Sequence, residues 1–170
     1  SSLLMQATFK RKIMNIVIAI IILLVYTLVM IKIGGCILPS LSASVFNIPI
    51  NKHWIWTVVI FTVCILVVPT YIEKTDINTQ FLSFLSIGGL GFVGAAPLVK
   101  LKDDVLQFKV HEIGAIICAI CSQLVLIFNN PILLCSCIIP AIIICWKNWR
   151  TKIFWGEMIC FSNTFLYCLL

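Results

Sequence analysis

Residue types that do chemistry are scarce in this chain, which makes their positions easy to read. His111 and Glu112 stand side by side ahead of one apolar run, and Glu157 lies just inside another. An imidazole titrates near physiological pH, so His111 is a candidate acid, base or headgroup-binding group. Glu112, or Asp104 upstream, would then orient the ring. The plainer reading puts His111 and Glu112 at a helix start, where the helix dipole favours a carboxylate in the first turn. Glu157 follows Trp155 and Gly156; it either faces a bundle interior and pairs with a Lys or His, or reaches headgroup water. Ser122 and Gln123, with Ser162 and Asn163, are polar groups within apolar runs. Such groups hydrogen-bond between helices for about 1 kcal/mol or less each. Glu73, Asp76, Asp103 and Asp104 read as wet loop charges.

The nine cysteines are Cys36, Cys64, Cys118, Cys121, Cys135, Cys137, Cys145, Cys160 and Cys168. All but Cys36 fall in apolar runs, where a thiol behaves as a small hydrophobe. An odd count placed mostly in hydrocarbon argues against a secreted-type disulfide framework. Cys118-Ala-Ile-Cys121 resembles the redox centre of the vitamin K epoxide reductase group, which has a CxxC at the start of a membrane helix. That group also relays electrons through a pair of loop cysteines, whereas the loops here offer only Cys36. No basic neighbour is placed to lower a thiol pKa. One CxxC and one nearby His do not assemble a zinc site. No P-loop, dinucleotide fingerprint, HExxH or GxSxG occurs. No metal and no cofactor are expected.

These few groups must be positioned by a very apolar chain. Of 170 residues, 62% are hydrophobic and 11% charged, against roughly 45–50% and about 25% in ordinary soluble domains. Disorder and collagen are excluded by the absence of polar or Gly-repeat tracts. A soluble globule is excluded because 12 basic and 6 acidic side chains cannot cover its surface. The net charge of +6 suits anionic headgroups. It gives no soluble basic surface for nucleic acid.

What remains is an all-α polytopic membrane bundle in a single transmembrane domain. A crossing takes about 20 mostly apolar residues. Six stretches approach that: 13–33, 54–72, 81–99, 113–128, 132–146 and 153–170. Residues 1–9 precede the first and are set aside. Runs such as Ile16 to Met30 are apolar all round, which excludes a barrel, with its alternating strands, and an amphipathic surface helix. Trp54, Trp56, Trp146, Trp149 and Trp155 mark span ends, where indole is favoured. Asn129-Asn130-Pro131 predicts a tight turn that makes spans four and five a hairpin. Pro69 and Pro140 can kink their helices. Ile33-Gly34-Gly35-Cys36 has the look of a lipoprotein cleavage box, but the run before it is longer than a signal core, so an uncleaved first span is expected.

The third span is rich in small residues. Gly88, Gly91 and Ala95 share one face at helical spacing, so a partner backbone can approach there, or a lipid tail can occupy the space. The span is expected to be central. Its run from Gly88 to Pro97, a short charged loop, and then Val110-His111-Glu112-Ile113-Gly114-Ala115 resembles small six-span proteins of the DRAM/Frag-like type. About 30 residues carry the likeness. It implies six helices and a membrane role, without a reaction. The longest connection, residues 34–53, mixes Gly, Pro and Ser with apolar residues. It reads as a loop lying on the bundle end, or as a lid or re-entrant segment over a cavity.

Sidedness is divided. More Lys and Arg lie after the odd-numbered spans, while Lys10-Arg11-Lys12 abuts the first. For function the leading expectation is a membrane protein that binds a lipid or other apolar ligand within the bundle. His111, Glu112, Glu157, Gly88, Gly91, Ala95, Gln123 and Asn163 are its candidate ligand-binding residues. The alternatives are a transporter or channel component, without a clear inverted repeat to support it, and a membrane enzyme acting on lipid headgroups through His111. The expected partners are membrane lipids and either a second copy or another membrane subunit.

Overall fold

The computed structural model describes residues 2–96 and 105–170. Asp103, Asp104, Lys100, Lys102 and the expected end of the third span at 97–99 lie outside the described residues, as do the side chains of Cys137 and Pro140. The described chain is helical and has no strand. It forms α1 (Ser2–Gly34), α2 (Trp54–Lys74), α3 (Gln80–Ala95), α4 (Val105–Asn129), α5 (Pro131–Lys147) and α6 (Lys152–Leu169). Three helical stretches are long and apolar enough to cross a membrane: Gln6–Gly34, Ile50–Lys74 and Val105–Asn129. Their outward faces carry large apolar side chains such as Ile21, Leu28, Ile65 and Ile116, the surface of a membrane protein.

Two helices start well before their apolar stretches. α1 is helical from Ser2, and α4 begins at Val105 rather than near residue 113. The segment from Val105 to Glu112 contains no Gly or Pro, so a helix passes through it although its Gln and Lys lower the hydropathy. Helix stops follow local chemistry. Gly35, just past α1, has φ +69°, a left-handed conformation that glycine adopts without a Cβ penalty. At the α4–α5 turn the Asn130 side chain accepts from the Leu133 N–H at 3.1 Å, and Pro131 occupies the first turn. Asn129 ties the same turn to the opposite hairpin, accepting from the Asp76 N–H at 2.7 Å and donating to Thr79 Oγ1 at 3.0 Å. Beyond the turn, α5 packs mainly on α6 and only lightly on α4.

The central position expected of the third span belongs elsewhere. α6 meets α1, α2, α4 and α5, while α3 is paired with α4 and α2. The close approach on α3 is also displaced from the Gly88–Gly91–Ala95 face. A Cβ at Gly88 or Gly91 would meet nothing within 4 Å, and Ala95 is exposed. A Cβ on Gly89 would instead come 2.6 Å from the Gly114 carbonyl oxygen and 2.7 Å from the Cys118 nitrogen. Gly114 is the reciprocal position: a Cβ there would come 2.7 Å from the Gly89 oxygen. Two helix backbones therefore touch at this pair, and dispersion and Cα–H contacts hold them. Gly94 makes room in turn for Ile60 of α2.

Trp56 is also not an interfacial anchor. Its ring lies 5.7 Å from that of Tyr26, and its indole N–H donates to the Val93 carbonyl at 3.0 Å. It is the core residue that joins α1, α2 and α3, while Trp54, Trp146 and Trp149 are exposed. Lys12 pairs with Glu73 at 2.5 Å and fixes the opposite end of the α1–α2 hairpin.

Substitutions at adjacent glycines should therefore differ in sign. Gly89→Ala drives a Cβ into backbone and should cost about 1–3 kcal/mol. Gly88→Ala points outward and should be neutral or stabilising by about 0.5–1 kcal/mol through helix propensity. Thermal unfolding of both variants in one mild detergent reads the difference.

Candidate functional site

Four helices each turn one stripe toward a common space. From α2 come Trp56, Ile60, Val63, Cys64, Val67 and Tyr71, and from α3 Ser86, Ile87, Leu90 and Val93. α4 adds Ala115, Ile116, Cys118, Ala119 and Ser122, and α6 adds residues from Ile153 to Phe165. The spacings are those of single helix faces. The stripes line a half-open cavity of about 400 Å³, within the usual size of small-molecule sites.

The space follows from the residue sizes. On α4 the stripe is small apart from Ile116, with Ala115, Cys118, Ala119 and Ser122, and on α6 it includes Gly156, Cys160 and Thr164. α4 is held against α3 by the Gly89–Gly114 contact, so α4 and α6 meet lightly. One polar tie between them is the amide pair, with Asn163 Nδ2 donating to Gln123 Oε1 at 3.1 Å. Asn163 is buried, and Gln123 donates onward to Ser122 Oγ at 3.2 Å. These two residues do what interhelical amides were expected to do, and neither lines the cavity.

One end of the cavity is closed by the connection after α1. Its Ser42–Asn47 turn is inserted into the bundle, with Ser42, Ala43, Ser44 and Val45 buried. Ser44 Oγ lies 2.6 Å from the Tyr26 hydroxyl. The Phe154 N–H donates to the Pro39 carbonyl at 3.1 Å. Leu41, 1% exposed, forms part of the cavity wall. The connection is thus inserted into the bundle end rather than lying on it, and it contributes Leu41 to the cavity wall. Glu157 ties it there: the Leu41 N–H donates to the Glu157 carboxylate at 2.5 Å. Glu157 lines the cavity, and among the described residues no Lys or Arg is paired with it. The Lys or His partner expected for it is absent among those residues; a backbone N–H takes that place.

Tyr71 stands toward the far end. It is 1% exposed and lines the cavity, and its hydroxyl lies beside Ser83 and Ser86 without a hydrogen bond of ordinary geometry. Ser83 and Ser86 are already engaged: Ser83 Oγ is 2.8 Å from Thr75 Oγ1, and Ser86 donates to the Cys118 carbonyl at 3.3 Å. Tyr167 packs edge-on against the Tyr71 ring at 6.0 Å. Trp56 and Tyr71 are about 22 Å apart along α2 at ~1.5 Å per residue, so the cavity is long and narrow.

The other sequence candidates are dispersed. His111 is buried, but at the α3–α4 joint and not in the cavity wall. Its Nδ1–H donates to the Ala96 carbonyl at 2.6 Å, capping the end of α3. Glu112 is exposed on another face of α4, since adjacent helical residues point about 100° apart. The structure therefore forms no His111–Glu112 acid–base pair, and Asp104 lies outside the described residues. Nor does either residue occupy a helix start. Gly88, Gly91 and Ala95 lie outside the cavity wall as well.

Cys118 is far inside α4, not at a helix start, and Cys36 is exposed on the loop. Cys64, Cys118 and Cys160 line the cavity as free thiols. No cluster of three metal-ligating side chains occurs among the described residues. Tyr71 and Leu41 escaped the sequence reading. The available signal was the small-residue stripe of α4 and α6 at 115, 118, 119 and 122 and at 156, 160 and 164. No protein-family model, curated protein or solved structure matches the chain.

The Gln123–Asn163 tie should appear as pairwise coupling. In a double-mutant cycle of Gln123→Leu and Asn163→Leu, unfolding in detergent should give a coupling of about 0.5–1.7 kcal/mol. Strict additivity would contradict the tie.

Proposed function

We propose that this chain is a six-helix membrane bundle that holds one apolar ligand, such as a lipid chain, between α2, α3, α4 and α6. The observation that carries the reading is the long apolar cavity with the Glu157 carboxylate in its wall. An empty apolar space of that size forfeits dispersion contacts along all four stripes. A ligand chain would supply those dispersion contacts.

Six crossings fit the helix lengths. α3, α5 and α6 have 16, 17 and 18 residues, a rise of about 24–27 Å at ~1.5 Å per residue. The hydrocarbon core is about 30 Å thick, and short helices are accommodated by local thinning. Six spans also agree with the resemblance to DRAM/Frag-like proteins around 88–97 and 110–115. The headgroup-enzyme alternative has less support, because His111 is spent on the α3 cap. Transport would need more polar groups converging at mid-depth than the wall provides.

Gly156 offers a clean test. It lines the cavity, and a Cβ there meets nothing within 4 Å, so Gly156→Phe fills the space without forcing backbone apart. Native mass spectrometry after purification in mild detergent should show a stoichiometric apolar adduct on the wild type. Gly156→Phe should reduce it at least about tenfold, whereas Gly91→Leu, on the outer face, should retain it. Equal retention by the two variants would contradict the site.

A further inference from the structure

The wall of the cavity is electrostatically one-sided. Glu157 is its only acidic residue among the described ones, and no Lys, Arg or His joins it there. Lys152 is the nearest cation in sequence on the same helix, but its ammonium sits 3.6 Å over the Trp149 ring, outside the cavity lining. The Leu41 N–H bonds one carboxylate oxygen, Oε2, and the Ser42 hydroxyl is a second hydrogen-bonding neighbour. A carboxyl in an apolar wall stays ionised only when a strong donor or a positive charge compensates its desolvation, and otherwise holds its proton.

We propose that the cavity selects a single-chain amphiphile with a protonated primary amine as its head, placed against Glu157 beside Leu41, with its chain running toward Tyr71. This rests on the apolar-ligand reading above and adds the head chemistry. The ammonium would donate to the carboxylate in a charge-assisted bond, and the stripes of α2, α3, α4 and α6 would enclose the chain. A fatty acid would bring a second carboxylate against Glu157 and be rejected by like charge. A fatty alcohol would fill the same space and make only a neutral hydrogen bond.

The test uses three probes of equal chain length: hexadecylamine, hexadecanol and palmitic acid. Each is offered to the full chain in phosphatidylcholine nanodiscs, and binding is read as excess over empty nanodiscs by native mass spectrometry. The wild type should retain the amine roughly tenfold or more over the alcohol, and the alcohol over the acid. Glu157→Gln keeps an acceptor for the Leu41 N–H and should abolish the amine preference while leaving alcohol retention intact. That retained alcohol also shows that the variant is folded. Glu157→Asp, which keeps the charge on a shorter stem, should retain part of the preference. Comparable retention of all three probes in the wild type, unchanged in Glu157→Gln, would overturn the head assignment while leaving the apolar site standing. Retention of none, with Gly156→Phe behaving as wild type, would overturn the apolar site itself.

Discussion

Two glycines set how closely α3 and α4 approach. With Gly89 against Gly114, backbone touches backbone, and no side chain of ordinary size fits between. The contact fixes more than one pair of helices. It orients α4 so that Ala115, Cys118, Ala119 and Ser122 face inward. It also places His111 where its ring reaches the Ala96 carbonyl at the end of α3. α4 is thereby committed to α3. α6, anchored against α1, α2 and α5, meets α4 lightly and is tied to it by the Gln123–Asn163 amides. The cavity is the space left between a tightly bound pair and the rest of the bundle, and small side chains on both of its walls keep it open.

The charged chemistry at the Leu41 end follows from how that space is closed. The connection after α1 is too polar to cross a bilayer and too apolar to stay in water. It resolves the conflict by inserting Leu38, Leu41 and Val45 into the core. Its backbone groups then need partners, because an unpaired buried N–H is costly. Glu157 supplies one for the Leu41 N–H, and the Pro39 carbonyl receives the Phe154 N–H; the Ser44 side chain meets the Tyr26 hydroxyl. One carboxylate therefore serves the fold and faces the cavity at once. That double role explains an acid one turn into an apolar helix without a basic partner.

Composition and run length made the helical, membrane-type architecture legible, and Asn130-Pro131 marked its turn as a capped helix start. The helix ends were less legible: a hydropathy window detects apolar stretches, whereas a helix continues through Gln107 and Lys109 until Gly, Pro or a capping group stops it. The site was harder still. In helices apolar on every face, periodicity does not separate the lipid-facing side from the cavity-facing side. The glycine face was thus placed on Gly88 and Gly91 when contact belongs to Gly89. His111 and Glu112 drew attention through residue type, but their directions depend on where α3 ends in space. Glu157 was legible because a carboxylate within an apolar run has few harmless places to go. Tyr71 was not, since only the packing brings its ring into the cavity wall.

The most direct test is an experimental structure of the chain in lipid nanodiscs, with density examined between α2, α3, α4 and α6. The account predicts continuous elongated density from beside Glu157 toward Tyr71, bounded by Cys64, Cys118 and Cys160. Direct packing of α4 on α6, with Ala119 and Ser122 meeting Gly156 and Cys160 and no space between them, would contradict it.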